Sequence, residues 1–213
     1  MRNALLVVLP ILLLSSATSA AGQGPLPAAP TAGIFHEIVF YAGLSLAPSE
    51  IGRDVNRAGG DVLVAGLGNS AISGLRFELH KRFVGIGLNL VGWLKPVEVE
   101  SEAGVQFPHH GEPPGLYLFE ARLYPLGESA RERVSPYIAV GAGGAFISVD
   151  LDNVEDQEMR HVWARSFGGG TKLSFNEGET FLDLQFTLYF LSGRGPIAPF
   201  RVRAITIGFG VRY

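Results

Sequence analysis

The chain has 213 residues, enough for one domain, and its formal net charge of −3 is too small to indicate nucleic-acid binding. It contains no cysteine, which excludes a disulfide framework, a thiol nucleophile, a cysteine metal site and a lipid-modified N-terminal cysteine. Beyond the N-terminus, no apolar run approaches the length of a membrane helix.

The N-terminal segment has the features of a targeting sequence followed by a lead-in. Arg2 gives a positive start, residues 4–14 are an apolar run, and the small residues at 15–21 suit signal peptidase. We therefore predict a secretory signal peptide at residues 1–20. A retained membrane anchor is disfavoured because the apolar run is short. Residues 21–33 are rich in Pro, Gly and Ala and predict a flexible periplasmic lead-in.

From residue 34 onward, apolar residues alternate with polar or small ones in successive segments. A period of two predicts strands with one apolar face, and no segment after the signal favours a helical period. Eight strands are predicted, at residues 34–46, 73–80, 84–95, 115–124, 136–148, 163–175, 180–191 and 202–213.

The predicted connections alternate in length along the chain. Those after strands two and six are short, the one after strand four is intermediate, and those after strands one, three, five and seven are longer. Short periplasmic turns opposite long loops are typical of bacterial outer-membrane barrels. We predict an all-β fold, a single eight-stranded antiparallel up-and-down transmembrane β-barrel at residues 34–213. Residues 61–67 either extend the second strand or pack over the barrel mouth, and the sequence leaves both open.

The last predicted strand is the most specific signal in the chain. Counting back from the C-terminus, every second residue is apolar, namely Tyr213, Val211, Phe209, Ile207 and Ile205. A tilted strand of about ten residues crosses a hydrocarbon core. This apolar strand with an aromatic terminal residue resembles the C-terminal insertion signal of bacterial outer-membrane β-barrels, in particular the small OmpA/OmpW-type barrels.

Two further segments are similar to the same family. SPYIAVGAGGAF at 135–146 resembles a Pro-Tyr-led, glycine-alternating strand of these barrels, and LYPLG at 123–127 resembles the strand end before it. Tyr213 is a departure, because the family most often ends in Phe. The resemblance implies a location in the outer membrane of a Gram-negative-type cell. It also implies recognition by the barrel-insertion machinery and contact with outer-membrane lipids and lipopolysaccharide, and we expect a monomer.

The polar faces of the predicted strands carry charges of both signs. Four acidic and four basic residues are assigned to the lumen: Glu37, Glu78, Glu120, Asp183, Arg76, Arg122, Lys172 and Arg212. The interior of an eight-stranded barrel is only wide enough for side chains, and a buried unpaired charge is costly. We therefore predict a salt-bridge network that fills the lumen. A polar conduit or a proton-active site is the alternative.

The sequence favours a non-enzymatic, structural outer-membrane protein of porin-like fold, with small-solute passage or surface-loop binding left open. The alternative is a lipid-modifying barrel enzyme of the lipid A deacylase kind. His80 shares a face with Glu78, but no serine accompanies them and the deacylase His-x-Ser-Asn pattern is absent. A soluble lipocalin-like barrel would instead turn its polar faces outward. No catalytic residue, cofactor or metal site is predicted, since the acidic segments 98–110 and 149–161 are typical of solvated loops.

Overall fold

The computed structural model describes residues 34–55, 62–101, 112–126, 133–148, 159–195 and 197–213. The predicted signal peptide and lead-in, together with residues 102–110 and 149–158 of the two acidic segments, lie outside these residues. Within the described ranges, no helix is both long and apolar enough to cross a membrane.

The alternating segments form strands, as their period of two predicts. The strands are β1 (Phe35–Leu46), β2 (Gly52–Val55), β3 (Val62–Gly66), β4 (Ser70–Lys81), β5 (Val84–Trp93), β6 (Glu98–Ser101), β7 (Gly115–Leu123), β8 (Val134–Ser148), β9 (Met159–Phe175), β10 (Thr180–Leu191) and β11 (Phe200–Arg212). A single turn of 3-10 helix at Asn176–Gly178 joins β9 to β10.

Eight of these strands close into an antiparallel barrel, in the order β1-β11-β10-β9-β8-β7-β5-β4. β1 closes the barrel because it pairs with β11 on one side and β4 on the other. The seam continues to the C-terminus, where the His36 and Tyr213 backbones exchange hydrogen bonds of 3.1 and 3.0 Å. The predicted eight-stranded antiparallel barrel is thus confirmed.

The barrel has two different ends. At the terminal end β1 begins and β11 finishes, and at the loop end lie the long connections. The largest boundary difference from the sequence prediction is at the start of β9, which begins at Met159 instead of residue 163. There β8 and β9 form a long hairpin, with Ser148 paired to Met159, so the barrel wall extends further at the loop end than the sequence indicated.

The outer face of the barrel is apolar. Large side chains at alternate positions point away from the interior and are exposed, among them Phe40, Leu44, Phe77, Ile86, Phe119, Val140, Phe167, Phe186, Ile205 and Ile207. Phe119 is 68% exposed. A continuous apolar belt of this kind matches the hydrocarbon core of a bilayer and is not a surface of a water-soluble protein. It contradicts the lipocalin-like alternative, in which the polar faces point outward.

The other three strands form a small antiparallel sheet in the order β2-β3-β6, which we call the cap sheet. The sequence did not predict β2 or β6. Residues 61–67 do not extend the second barrel strand, because Val62–Gly66 is the central strand of the cap sheet. Leu63 of the cap sheet is buried in one apolar cluster with Trp93 and Phe200 of the barrel. The cap sheet therefore packs against the loop end of the barrel interior.

Candidate functional site

The barrel interior is divided into two layers. We call them the charged layer, near the terminal end, and the apolar layer, near the loop end. Both layers come from the same strands, because alternate residues of each strand point inward. On β7, Glu120 and Arg122 are buried in the charged layer, and Leu116 and Leu118 are buried in the apolar layer.

The structure brings the eight lumen residues assigned from the sequence together in the charged layer. Seven of them are buried, and the side chain of the eighth, Arg212, is only 5% exposed. Four are acids and four are bases, so the formal charge of this set is zero. Balance of this kind is what a low-dielectric interior requires, because each buried charge needs a partner of opposite sign.

Glu37 binds two of the four cations. Lys172 Nζ donates to Glu37 Oε2 at 2.5 Å, and Arg212 Nη2 donates to Glu37 Oε1 at 2.6 Å. Glu37 and Arg212 face each other across the β1–β11 pair, so this contact joins the first and last strands of the barrel. Lys172 reaches Glu37 from β9, and its ammonium group also lies 4.6 Å from the centre of the Tyr124 ring.

The other two cations are arginines, of which Arg76 is paired to an acid on another strand and Arg122 to an acid on its own strand, β7. Arg76 donates to Asp183 Oδ2, and Arg122 Nη2 donates to Glu120 Oε2 at 2.6 Å. Glu78 lies between the two arginines, with Oε2 at 3.5 Å from Nε of each. Each of the eight residues thus has an oppositely charged partner. This arrangement cross-links the barrel wall through its interior.

Neutral polar side chains complete the network, and the sequence analysis assigned them no role. They are Tyr41, Asn89, Tyr124, Tyr137 and Gln185. Tyr124 donates to Glu78 at 2.6 Å, and Tyr137 donates to Asp183 at 2.7 Å. A signal for some of them was present, because Tyr41 has the strand parity of Glu37, and Gln185 has that of Asp183.

The apolar layer fills the loop-end half of the interior. Its inward side chains include Ile72, Val91, Trp93, Leu116, Leu118, Val162, Tyr189, Leu191 and Val202. Trp93 is 3% exposed, and its ring meets that of Tyr189 edge-on at 6.4 Å between centroids. Leu63 and Val99 of the cap sheet belong to the same cluster. The sequence analysis predicted a charged interior and did not predict this apolar half.

The histidine considered for the enzyme alternative lies away from the loop end. His80 is buried near the end of β4, with its ring 4.4 Å from that of Tyr124. In the part of the chain that the structure describes, no group of three or more His, Asp or Glu residues is placed to hold a metal ion. The charged layer of the barrel interior is therefore the candidate functional site.

The proposed insertion signal lies on the outer face of β11. Ile205, Ile207 and Phe209 are exposed there, and Tyr213 stacks on His36 with 5.6 Å between ring centroids. The inward positions Thr206, Gly208 and Gly210 are small because the interior is full. A Cβ added to Gly210, for example, would lie 2.2 Å from Cζ of Phe181. The apolar alternation of the terminal strand thus follows from lipid on one side and a packed interior on the other.

We expect Phe209→Asp, and separately deletion of Tyr213, to reduce outer-membrane insertion and to leave protein in the periplasm. The new carboxylate would face hydrocarbon, where charge is disfavoured, and both changes alter the terminal strand that carries the proposed insertion signal. Cell fractionation with heat-modifiable gel migration measures the inserted fraction. Phe209→Leu, which keeps the position apolar, should insert normally. Wild-type outer-membrane levels of both altered proteins would contradict this role for the terminal strand.

No family model and no curated protein sequence matches the chain. Among solved structures, Neisserial surface protein A matches with a TM-score of 0.51 at 12% identity, over 84% of this chain and 97% of that chain. The N-terminal β-barrel domain of Pseudomonas aeruginosa OprF has a TM-score of 0.47 at 13% identity, over 82% and 96%. The Escherichia coli outer membrane protease OmpT has a TM-score of 0.42 at 9% identity, over 89% of this chain and 99% of that chain. At these identities the similarity concerns the fold alone.

The location follows from the barrel together with its outer surface. In a bilayer every backbone polar group must be satisfied internally, which a closed barrel achieves. The exposed side chains of this barrel form an apolar belt, and its fold is that of known outer-membrane barrels. The chain is therefore a small eight-stranded β-barrel of the bacterial outer membrane.

Proposed function

We propose that the chain is a non-enzymatic structural barrel that has no continuous water path and acts through its loop end at the cell surface. The observation that carries this proposal is the filling of both interior layers. Among the largest fully buried side chains are Arg76, Arg122 and Lys172 in the charged layer and Tyr189 in the apolar layer. Because an eight-stranded barrel has room for little more than its own side chains, the burial of these groups supports a closed lumen.

The proposed orientation places the start of β1, the end of β11 and the short turns in the periplasm and the loop end outside the cell. The terminal strand and residues 135–146 favour the OmpA/OmpW type among small barrels. In this proposal the partners are the barrel-insertion machinery and the outer-membrane lipids, including lipopolysaccharide. The protein acts as a monomer, because its apolar belt is matched to lipid around the barrel. A binding role would then belong to the loop end.

Planar-bilayer recording on refolded protein tests the closed lumen. We expect no sustained single-channel conductance, and the same sample should neither hydrolyse nor acylate lipid A or phospholipid. A heat-unfolded sample controls for leakage caused by added protein alone. Stable conductance would contradict the closed lumen. Catalytic turnover of either lipid would contradict the non-enzymatic role and favour the lipid-modifying enzyme.

The outer-membrane location also requires export, and we expect the segment at residues 1–20 to be removed. The small residues that end this segment suit signal peptidase, and we expect cleavage after Ala20 or Ala21. Intact-mass measurement of protein extracted from the outer membrane locates the cleavage point. Detection of a mass that includes Met1 would show that the segment is retained.

A further inference from the structure

Three arginines on the outer face of the barrel have no acidic partner among the described residues. Arg165 on β9 and Arg201 and Arg203 on β11 are exposed and point away from the interior. The guanidinium of Arg201 lies over the ring of Phe190, 5.5 Å from its centroid. An exposed cluster of one charge sign beside an apolar belt is unlike the charged layer inside, where each of the eight charges is paired.

The strand register brings these arginines together at the loop end. Phe190 on β10 is paired with Arg165 on one side and with Arg201 on the other. Arg203 follows Arg201 on the same face and is paired with Leu188. Two strand spacings separate the backbones of Arg165 and Arg201 by roughly 10 Å. Long side chains across that span can converge on one phosphate or hold two neighbouring phosphates.

A groove runs along the outer face from Arg203 toward the terminal end. Its volume is about 580 Å³, within the range of roughly 300–1,000 Å³ that is usual for small-molecule clefts. Apart from Arg203, its outward lining is apolar and comes from β1, β10 and β11: Ala42, Leu44, Leu46, Leu184, Phe186, Ile205 and Ile207. Ala42 is small, which leaves space between the larger neighbours. The groove is therefore suited to a hydrocarbon chain that ends near a cation.

The position of the cluster fits an anionic lipid better than a soluble anion. Arginine on the lipid face is disfavoured at the bilayer centre and tolerated near the interface. Guanidinium groups bind phosphate oxygens through two parallel hydrogen bonds, and basic clusters near a membrane surface attract anionic lipids. Cations at the interface with an apolar groove leading into the bilayer complement an amphiphile that has a phosphorylated headgroup.

We propose that this surface binds a phosphorylated lipid of the leaflet at the loop end. Its headgroup phosphate contacts Arg165, Arg201 and Arg203, and one acyl chain occupies the groove beside Ala42. This inference deepens the proposed function by giving its lipid partner a site, and it rests on the proposed orientation of the loop end but not on whether the lumen conducts. A conducting barrel could bind this lipid, and a closed barrel could fail to bind it.

Native mass spectrometry of the refolded wild-type protein tests the headgroup. The probes are lipid A with both phosphates and the same lipid after phosphate removal. We expect the phosphorylated form to bind more tightly, on the order of 100-fold, since each basic residue near an anionic headgroup contributes roughly fivefold. Equal binding of the two forms would overturn the proposal. This comparison needs no variant and is independent of whether substitutions disturb folding.

Matched variants locate the site. We expect the triple variant R165Q/R201Q/R203Q to lose most of the preference for phosphorylated lipid, and the corresponding triple Lys variant to retain it. The control removes three charges from the terminal end through Lys81→Gln, Arg82→Gln and Arg133→Gln, and it should bind like wild type. Equal losses in the loop-end and terminal-end Gln variants would show non-specific attraction and overturn the site.

The groove is tested separately with Ala42→Phe, which fills it while all three arginines remain. We expect weaker binding of phosphorylated lipid A and no change in heat-modifiable gel migration. Unchanged lipid binding by the folded variant would overturn the placement of the acyl chain in this groove.

Discussion

Asp183→Ala is expected to lower the free energy of unfolding by about 3–5 kcal/mol, because it leaves a buried cation without its acid. Asp183 accepts hydrogen bonds from Arg76 and from Tyr137. The other carboxylate near Arg76 is Glu78, which already lies at 3.5 Å from both Arg76 and Arg122. No acid in the charged layer is therefore free to replace the one removed.

Urea midpoints of the wild type and the variant in one detergent measure this loss. Glu179→Ala is the control, because Glu179 is an exposed acid close to Asp183 in the chain, and its removal should cost under about 1 kcal/mol. If water filled the lumen, screening would reduce the effect of Asp183→Ala to a similar value. A near-neutral Asp183→Ala together with sustained conductance would make a small channel the better account of the barrel.

The second large effect is expected in the apolar layer, where Trp93→Ala should cost about 3–5 kcal/mol. Trp93 is buried beside Tyr189, in the same cluster as the side chains of the cap sheet. Removing the indole deletes its contacts and leaves a cavity that closely packed neighbours can only partly fill. We therefore expect a loss of stability comparable to that caused by breaking the charged layer.

Trp163→Ala is the matched control, because the chain has only two tryptophans. Trp163 points outward at the loop end and is 70% exposed, so its removal creates no interior cavity and should cost much less. Each variant retains one tryptophan, whose fluorescence follows urea unfolding. Equal destabilisation by the two substitutions would contradict a packed apolar layer, because it would mean that Trp93 contributes no more than a surface residue.

The barrel strands could be predicted because lipid and interior impose opposite requirements on alternate residues. β10 has the predicted bounds, Thr180–Leu191. Its outward Leu184 and Phe186 alternate with the inward Asp183 and Gln185, so the period of two is also a period in polarity. The same contrast between apolar and polar faces identified the lumen charges. When one face of a strand is apolar and contacts lipid, a charged residue on the opposite face points into the lumen.

The apolar layer could not be predicted in this way. On β7, the inward Leu116 and Leu118 alternate with the outward Tyr117 and Phe119. Both faces are apolar there, so the sequence contains no polarity signal to separate them. The sequence distinguishes the interior face only where that face is charged. The charged layer was therefore predicted, and the apolar layer was not.

The cap sheet and the ion pairs depend on contacts between distant parts of the chain. β2 and β6 have four residues each, too few to show a period. β3 and β6 pair directly, as at Val64 and Glu100, although the barrel strands β4 and β5 lie between them in the sequence. The bond from Lys172 to Glu37 likewise joins non-adjacent strands. Strand parity predicts that such residues point inward, but it does not predict their partners.

The charged layer has a consequence for how the barrel assembles, since all eight barrel strands contribute to it. One member from each strand is Glu37, Arg76, Asn89, Glu120, Tyr137, Lys172, Asp183 and Arg212. An incomplete sheet would expose unpaired charge to hydrocarbon, and each such charge is costly. The contact between Glu37 and Arg212 forms only when the first and last strands meet. We therefore expect membrane insertion to be cooperative, with half-closed barrels rare. The residues that fill the interior would then also disfavour any barrel that lacks a strand.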